Sequence, residues 1–591
     1  LTDSLNVDGK PFEAKNLVKS TIPFGRALGN AAVIDADTAG LITVPTPEKG
    51  YALHLYSFYL NSDRYTKGSL EVSGAGTFEV FVNNKPVGAT SELALEPHRY
   101  EVVIKYLTAD TDTCPSTLTA KFKSEEEAKV IASLDPEKRY TPRDILEGTQ
   151  FRGTSVSPDG KYVLVKYYTR MEGGKSEQYA QLRDAATGRI LLQDKGFILT
   201  ADWMPTSSKM YFTRTGMNGK ELVTVDPATM QEEILAENLP EGSFSFTPDE
   251  KTLLYTIQEE GPKDGPDMLR ILEPNDRLPG FRNRYFIWRY DLQTGLYEQL
   301  TYGHNNTFVN DVSADSRYLL FSTSEQDYTS LPHSSNSMYK LDLQSMAVDT
   351  LWERAKYING ATFSPDGKQL MVFGSGNAFD NIGLNIKEGQ ISNTYDGQLF
   401  LYDPATRKAK ALTKDFNPNV TSAQWNKFDR QIYMLTEDQD YQRVYTCNPA
   451  NGKIRRLDLP EDVIYNYSLA EAAPVMYYYG QSVSNANRLY SYNTKSKKTQ
   501  LIYDLSADKL KDIQFGEVHD WNFTSTDGTI IQGRYYLPPN FDASRKYPMI
   551  VYYYGGTSPT NRALEFSYSM HMYAALGYVV YTLNPSGTTG F

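Results

Sequence analysis

Cysteine is nearly absent from this sequence: its 591 residues contain two, Cys114 and Cys447. Thiols so far apart, in what read as different domains, build neither a disulfide framework nor a thiolate metal site, and they leave the redox compartment open. Nothing here calls for a metal or a cofactor. No apolar run reaches the roughly 18 residues that a membrane-spanning helix needs. Runs of Lys and Arg are also missing, and the net charge is −12. That excludes a nucleic-acid surface, because phosphate contacts require clustered cations. No charged and apolar leader precedes Leu1. A trimmed export signal or an engineered start would explain this; the expectation is an exported protein, periplasmic or extracellular, with the cytoplasm as the alternative.

Tyrosine is abundant instead, at 44 residues beside 26 Phe and only 5 Trp. Tyrosine suits half-buried pleated surfaces, so the excess points to a mainly β chain. The length exceeds one core and predicts several domains.

Between about Gly153 and Asp504 a unit recurs. Its first half is a polar turn feeding an apolar strand: SVSPDGKYVLVKYY from Ser155, ADWMPTSSKMYFTR from Ala201, SFTPDEKTLLYTI from Ser245, DVSADSRYLLFSTS from Asp311, ATFSPDGKQLMVFGS from Ala361, SAQWNKFDRQIYMLTE from Ser422, and a degenerate YSLAEAAPVMYYYG from Tyr467. Each is followed by a hairpin with an Asp- or Asn-led turn, as in LVTVDPATMQEEIL and MYKLDLQSMAVDTLW. A lone SPDG is an ordinary surface turn. Seven copies in register with seven hairpins predict a seven-bladed β-propeller over 153–511. Gln258 to Asn283 and Gly374 to Thr394 read as insertions on blade faces, where binding elements tend to lie.

Residues 1–123 differ in character. GSLEVSGAGTFEVFVNNKPVGA alternates with period two on either side of Asn83-Asn84, and HRYEVVIKYLT supplies another strand. A small β-sandwich is expected, loosely similar to accessory modules of carbohydrate-active enzymes; a spacer or docking role is the plainer reading. The charged stretch from Ser124 through 152 reads as a helix or linker into the first blade.

The end of the chain, 512–591, reads as the beginning of an α/β-hydrolase domain. Two apolar runs, Met549 to Tyr554 and Tyr578 to Leu583, bracket a Gly-Gly loop and a helix-like segment, the β-α-β start of a mostly parallel sheet. No G-x-S-x-G nucleophile elbow occurs; GTSVS at Gly153 and GTSPT at Gly556 lack the closing glycine. The expectation is an incomplete domain whose catalytic serine lies outside this sequence, so that these residues alone are inactive.

A propeller followed by such a domain resembles the prolyl oligopeptidase family of serine peptidases, including its dipeptidyl-peptidase IV-like branch. The resemblance runs from Gly153 to Phe591 and is carried most specifically by DGTIIQGRYYLPPNFD and the Tyr547-Pro548 strand entry. It implies a serine-type peptidase acting on short, proline-containing peptides through an acyl-enzyme. It also implies that Tyr554 donates its hydroxyl to the oxyanion, with Gly555 and Gly556 forming the oxyanion loop. The acylaminoacyl-peptidase branch typically has a histidine at the place of Tyr554. The plain alternative is that Tyr552, Tyr553 and Tyr554 only pack in the sheet.

This chain departs from the family in having Asn584-Pro585-Ser586-Gly587 where an Arg-Gly step is common. Glu259-Glu260 is the one pair comparable to the glutamates with which dipeptidyl peptidases hold a substrate amine, though its context reads more as a solvated loop. His519 and His571 precede the elbow position, and His54, His98, His304 and His333 lie in other domains, so none is cast as the catalytic base. Two other functions stay open: a non-catalytic propeller that binds a partner, and an esterase acting on acylated glycans. Oligomeric state is not readable, and a homodimer is among the arrangements left open.

Overall fold

The computed structural model describes residues 6–7, 10–11, 13, 15–20 and 32–591, the latter without 63–64, 97–98, 113–115, 125–129, 135–137 and 508. Cys114 and His98 lie outside the described residues.

The amino-terminal part is two facing antiparallel sheets. One comprises Ile42–Val44, Ser116–Ser124, Thr66–Gly74 and Thr90–Leu95; the other Val130–Ser133, Tyr51–Ser62, Arg99–Ala109, Thr77–Val82 and Lys85–Val87. Leu70, Val72 and Leu118 of the first sheet meet Leu60, Val80, Val102 and Ile104 of the second in one core. Asn83 and Asn84 both take positive φ, 47° and 61°, the pair of values a two-residue I′ hairpin demands. The charged stretch after Ser124 is not only a connection: Val130–Ser133 pairs with Tyr59 to Ser62 as an edge strand. Its short V-I-A-S run is flanked by acidic and basic residues that mask it in the sequence.

From Gly148 onward the chain forms seven consecutive four-stranded antiparallel sets. They begin with the strands Gly148–Val156, Asp202–Trp203, Ser243–Phe246, Thr307–Val312, Ile358–Phe363, Asn419–Trp425 and Val463–Leu469. The sixth and seventh are joined into one sheet by a single parallel pair, Gln442 with Val463. The first strand starts five residues before Gly153, because Gly148 to Phe151 already pairs with Tyr167 to Arg170.

Each set packs on the next through apolar side chains. Leu164 and Leu182 meet Met210 and Phe212, and Leu222 meets Leu253 and Tyr255. Leu254 and Ile287 meet Leu319 and Leu341, and Leu320 and Met338 meet Leu370 and Phe400. Met371 and Leu399 meet Ile432 and Met434, and Tyr433 and Val444 meet Met476 and Tyr490. The seventh set then packs on the first: Tyr477 and Leu489 join Val163 and Val165. Tyr477 also donates its hydroxyl to Ala185 O at 2.8 Å, so the succession closes on itself.

The recurring hairpin has a local cause. In all seven sets an Asp or Asn carboxyl or amide oxygen (Asp184, Asp226, Asp291, Asp342, Asp403, Asn448, Asn493) accepts a backbone N–H two or three residues on, at 2.7–3.1 Å. The residue closing each turn, Gly188, Met230, Gly295, Met346, Arg407, Gly452 or Lys497, lies at φ between 57° and 74°. An Asx turn followed by one left-handed residue is thus repeated around the ring. Cys447 is buried between the fifth and sixth sets, and burial pushes its thiol up to about 11.

The remaining residues form a small mixed sheet in the order Val518–Asp520, Ile530–Tyr536, Val579–Asn584, Met549–Tyr552. The last two are parallel, Met549 beside Val579, and the helix Met570–Ala575 makes the crossover between them. Met570, Ala574, Val580 and Tyr536 pack together beneath it.

Candidate active site

The strand Met549–Tyr552 leaves the ladder at Tyr552, so Tyr553, Tyr554, Gly555 and Gly556 form the loop at its carboxyl end. Ligand sites of parallel sheets lie beyond the carboxyl ends of their strands. The three tyrosines part company here. Tyr552 is half-buried near Phe566 and Tyr568, with centroids 6.3 and 6.2 Å away, and burial raises its pKa. Tyr554 is 54% exposed. Its hydroxyl, and the Gly555 and Gly556 N–H groups, hydrogen-bond to no protein group among the described residues. These are unspent donors at a strand end.

Contact with Tyr554, not backbone handedness, is what a side chain at 556 would disturb. A Cβ there would clash with the Tyr554 phenol, 2.6 Å from Cζ and 2.8 Å from Oη, whereas a Cβ on Gly555 would meet open space. Glycine at 556 therefore lets the phenol lie back over its own loop.

Downstream, the same loop is tied down densely. Thr589 N donates to Thr557 O at 2.7 Å, and Thr560 N donates to Asn584 Oδ1 at 2.8 Å. Arg534, 1% exposed, donates to Thr560 O at 3.2 Å and also to Asn561 O. A further partner comes from the sixth set: Arg534 Nη1 donates to Asp440 Oδ2 at 2.6 Å. Arg562 reaches the same Asp440 carboxylate at 3.2 Å and pairs with Asp520 as well. A charged residue inside the otherwise uncharged strand Ile530–Tyr536 was the one available sign of this cluster, and the sequence reading did not use it.

Glu259 and Glu260 are both exposed. Glu259 ends the strand Thr252–Glu259, opposite Arg284, and Glu260 pairs with Lys263 at 2.6 Å. No hydrogen bond, ion pair or shared apolar cluster joins either to Tyr554 among the described residues.

The histidines are equally dispersed. His54 bonds Thr108 at 2.9 Å in the sandwich, His333 contacts Ser330 O at 2.9 Å, and His519 meets Glu517 at 2.9 Å on the surface. His571 is buried against Phe515 and Tyr536, and burial depresses its pKa to about 4. Among the described residues no helix is long and apolar enough to cross a membrane.

No family model matches the chain. It is 28% identical over 233 residues to dipeptidyl-peptidase 5 of Porphyromonas gingivalis, covering 39% of this chain and 32% of that protein. This match therefore spans about a third of the relative's length. A longer match, to dipeptidyl-peptidase 5 of Porphyromonas endodontalis, is 24% identical over 487 residues, covering 76% of this chain and 68% of that protein. The structure superposes on an acylaminoacyl peptidase solved with Z-Gly-Gly-Phe-chloromethyl ketone. The TM-score is 0.58 at 15% identity, over 77% of this chain and 68% of that one. That likeness is one of fold.

Proposed function

We propose, on the premise that this chain is a member of the prolyl oligopeptidase and dipeptidyl-peptidase IV-like family of serine peptidases, that it provides the substrate-enclosing and oxyanion-binding parts of a peptidase acting on short peptides. In this reading the seven sets are a seven-bladed propeller, residues 1–133 an accessory sandwich, and residues 512–591 belong to an α/β-hydrolase domain. The observation that carries it is the Tyr554 hydroxyl beside two unspent glycine amides at the carboxyl end of a parallel strand.

The chemistry follows from that placement. Attack on a peptide carbonyl puts negative charge on its oxygen, and donors already aimed at that oxygen stabilise the charge without reorganising. Tyr554 is assigned as one such donor, with the loop amides beside it. The acyl-enzyme step also needs a nucleophilic serine with its histidine and aspartate, and no residue of this sequence is assigned to those roles. The propeller would restrict access to short, flexible substrates, with proline preference following the family. Glu260, engaged with Lys263, is not assigned as an amine anchor.

The test is fluorophosphonate labelling of the native protein, followed by turnover of prolyl peptides against acetyl esters. One adduct with peptide turnover is expected, and Tyr554→Phe should lower kcat by about 10²–10³-fold. A native protein that takes no adduct and turns over neither substrate would overturn the reading, and ester turnover alone would move it to an esterase.

A further inference from the structure

We propose that Asp440, on a propeller turn, is a positioning residue for the Tyr554-Gly555-Gly556 loop, acting through Arg534 and Arg562; the inference rests on the reading of that loop as the oxyanion site. Asp440 sits in the two-residue turn between the strands Ile432–Asp438 and Tyr441–Asn448 and is 7% exposed. It is distant in sequence from everything it holds.

It grips the loop in three ways. Its backbone oxygen accepts the Arg562 N–H at 3.2 Å. Its carboxylate lies 3.2 Å from Arg562 Nε. The same carboxylate oxygen accepts from Arg534 Nη1 at 2.6 Å. Arg534 turns that fixed position into a hold on the loop backbone, because its remaining N–H groups donate to the carbonyls of Thr560 and Asn561. Its Nε donates to the Tyr536 hydroxyl at 2.8 Å, which leaves the guanidinium one orientation.

Arg562 is fixed independently. It pairs with Asp520 on the edge strand, and its guanidinium lies over the Tyr441 ring at 4.4 Å. Asp440 therefore holds Arg534 through its carboxylate and Arg562 chiefly through its backbone carbonyl, and the two arginines border residues 560 to 562.

From Thr560 back to Gly556 is four residues, with the Thr557 carbonyl as the one backbone anchor between them among the described residues. Displacement of 560–562 reaches Gly556, and the Tyr554 ring that rests on it, through Ser558-Pro559 and the Thr557 anchor. Each half of a buried charge pair is costly when unpaired, so the contact resists separation. The propeller is thus more than a cover: it carries a residue that aligns the oxyanion donors.

The experiment compares Asp440→Asn, Asp440→Glu, Arg534→Lys and a control, Glu461→Gln, in the native protein. Glu461 is buried on the same face of the ring, but its partners Tyr490, Ser482 and Asn485 all belong to the propeller side. Hydrogen exchange over residues 553–569 should quicken by about 10-fold or more in Asp440→Asn, with the sandwich and the first four sets unchanged. In the same variant kcat should fall roughly 10²-fold while KM stays within about threefold, the signature of misaligned donors rather than lost binding. Asp440→Glu should recover part of both.

Arg534→Lys, which keeps the charge but cannot span two carbonyls, should reproduce the loop effect even if Asp440→Asn does not fold. Unchanged exchange at 553–569 in both Asp440→Asn and Arg534→Lys would overturn the proposal, and so would effects matched by Glu461→Gln. If the unmodified protein turns over no substrate, the peptidase reading fails, and the exchange measurement alone still decides whether Asp440 positions the loop.

Discussion

Arg534 donates to Asp440 at 2.6 Å across 94 residues of sequence, and both partners are buried. This contact joins the sixth set of strands to the small mixed sheet. Because neither group can turn to water, losing Asp440 strands the Arg534 charge in the interior, whereas losing Arg534 leaves Asp440 facing Arg562.

Asp440→Leu alone should therefore cost about 3–5 kcal/mol of stability, and Arg534→Met alone less, since Arg562 still faces Asp440. The double variant should lie closer to the unmodified protein than Asp440→Leu alone, because no buried Arg534 charge is orphaned and Arg562 keeps Asp520. Chemical denaturation of all four proteins checks this. Additive losses would show that the two residues do not act as a pair.

Gly556→Ala places a methyl where the Tyr554 ring lies. The ring should swing away, lowering kcat by about 10²-fold with a stability change under about 1 kcal/mol, since Tyr554 is already exposed. Gly555→Ala, with open space around its Cβ, should be milder in both. Paired kinetics and melting curves separate the two.

The seven left-handed turn positions give a test of local strain. Met346 holds φ 60° with its side chain 42% exposed, so Met346→Gly should stabilise by about 0.5–1 kcal/mol, strain relief outweighing the entropy added to the unfolded chain. Gly452, at φ 71°, should lose about 1 kcal/mol on change to Ala. Denaturation midpoints decide the signs.

Two groups give opposite pH dependences. His571 has its pKa lowered to about 4 by burial, against about 6.5 unfolded. Between those values the unfolded chain binds the extra proton, so His571 removes stability as pH falls from about 6.5 to 4. Asp396 has its pKa raised to about 6, chiefly by burial, with the neighbouring Glu437 adding to it. There the folded state holds the extra proton, and stability falls as pH rises from about 4 to 6. His571→Leu should flatten the acid limb of a stability-against-pH curve. Asp396→Asn should gain stability progressively above about pH 4, still accepting the Gly590 N–H that Asp396 takes at 3.1 Å. Melting temperatures across pH 4 to 7 check both slopes.

Much of the fold was legible because its signals are short. An Asp or Asn capping a backbone N–H two or three residues on needs no tertiary partner, so each hairpin is written where it occurs. The Asn83-Asn84 turn and the parallel strands at Met549 and Val579 were readable for the same reason. Val130–Ser133 was not, since its strand exists only through pairing with Tyr59 to Ser62.

By itself the sequence determined the repeated turns, the alternation of the strands and the tyrosine-glycine-glycine loop at a strand end. All of these depend on interactions spanning a few residues. Tertiary structure alone decided that Asp440 holds Arg534 and Arg562. Where a side chain points, and which distant charge meets it once water is excluded, is set by the packing of whole sheets, and no local pattern records it.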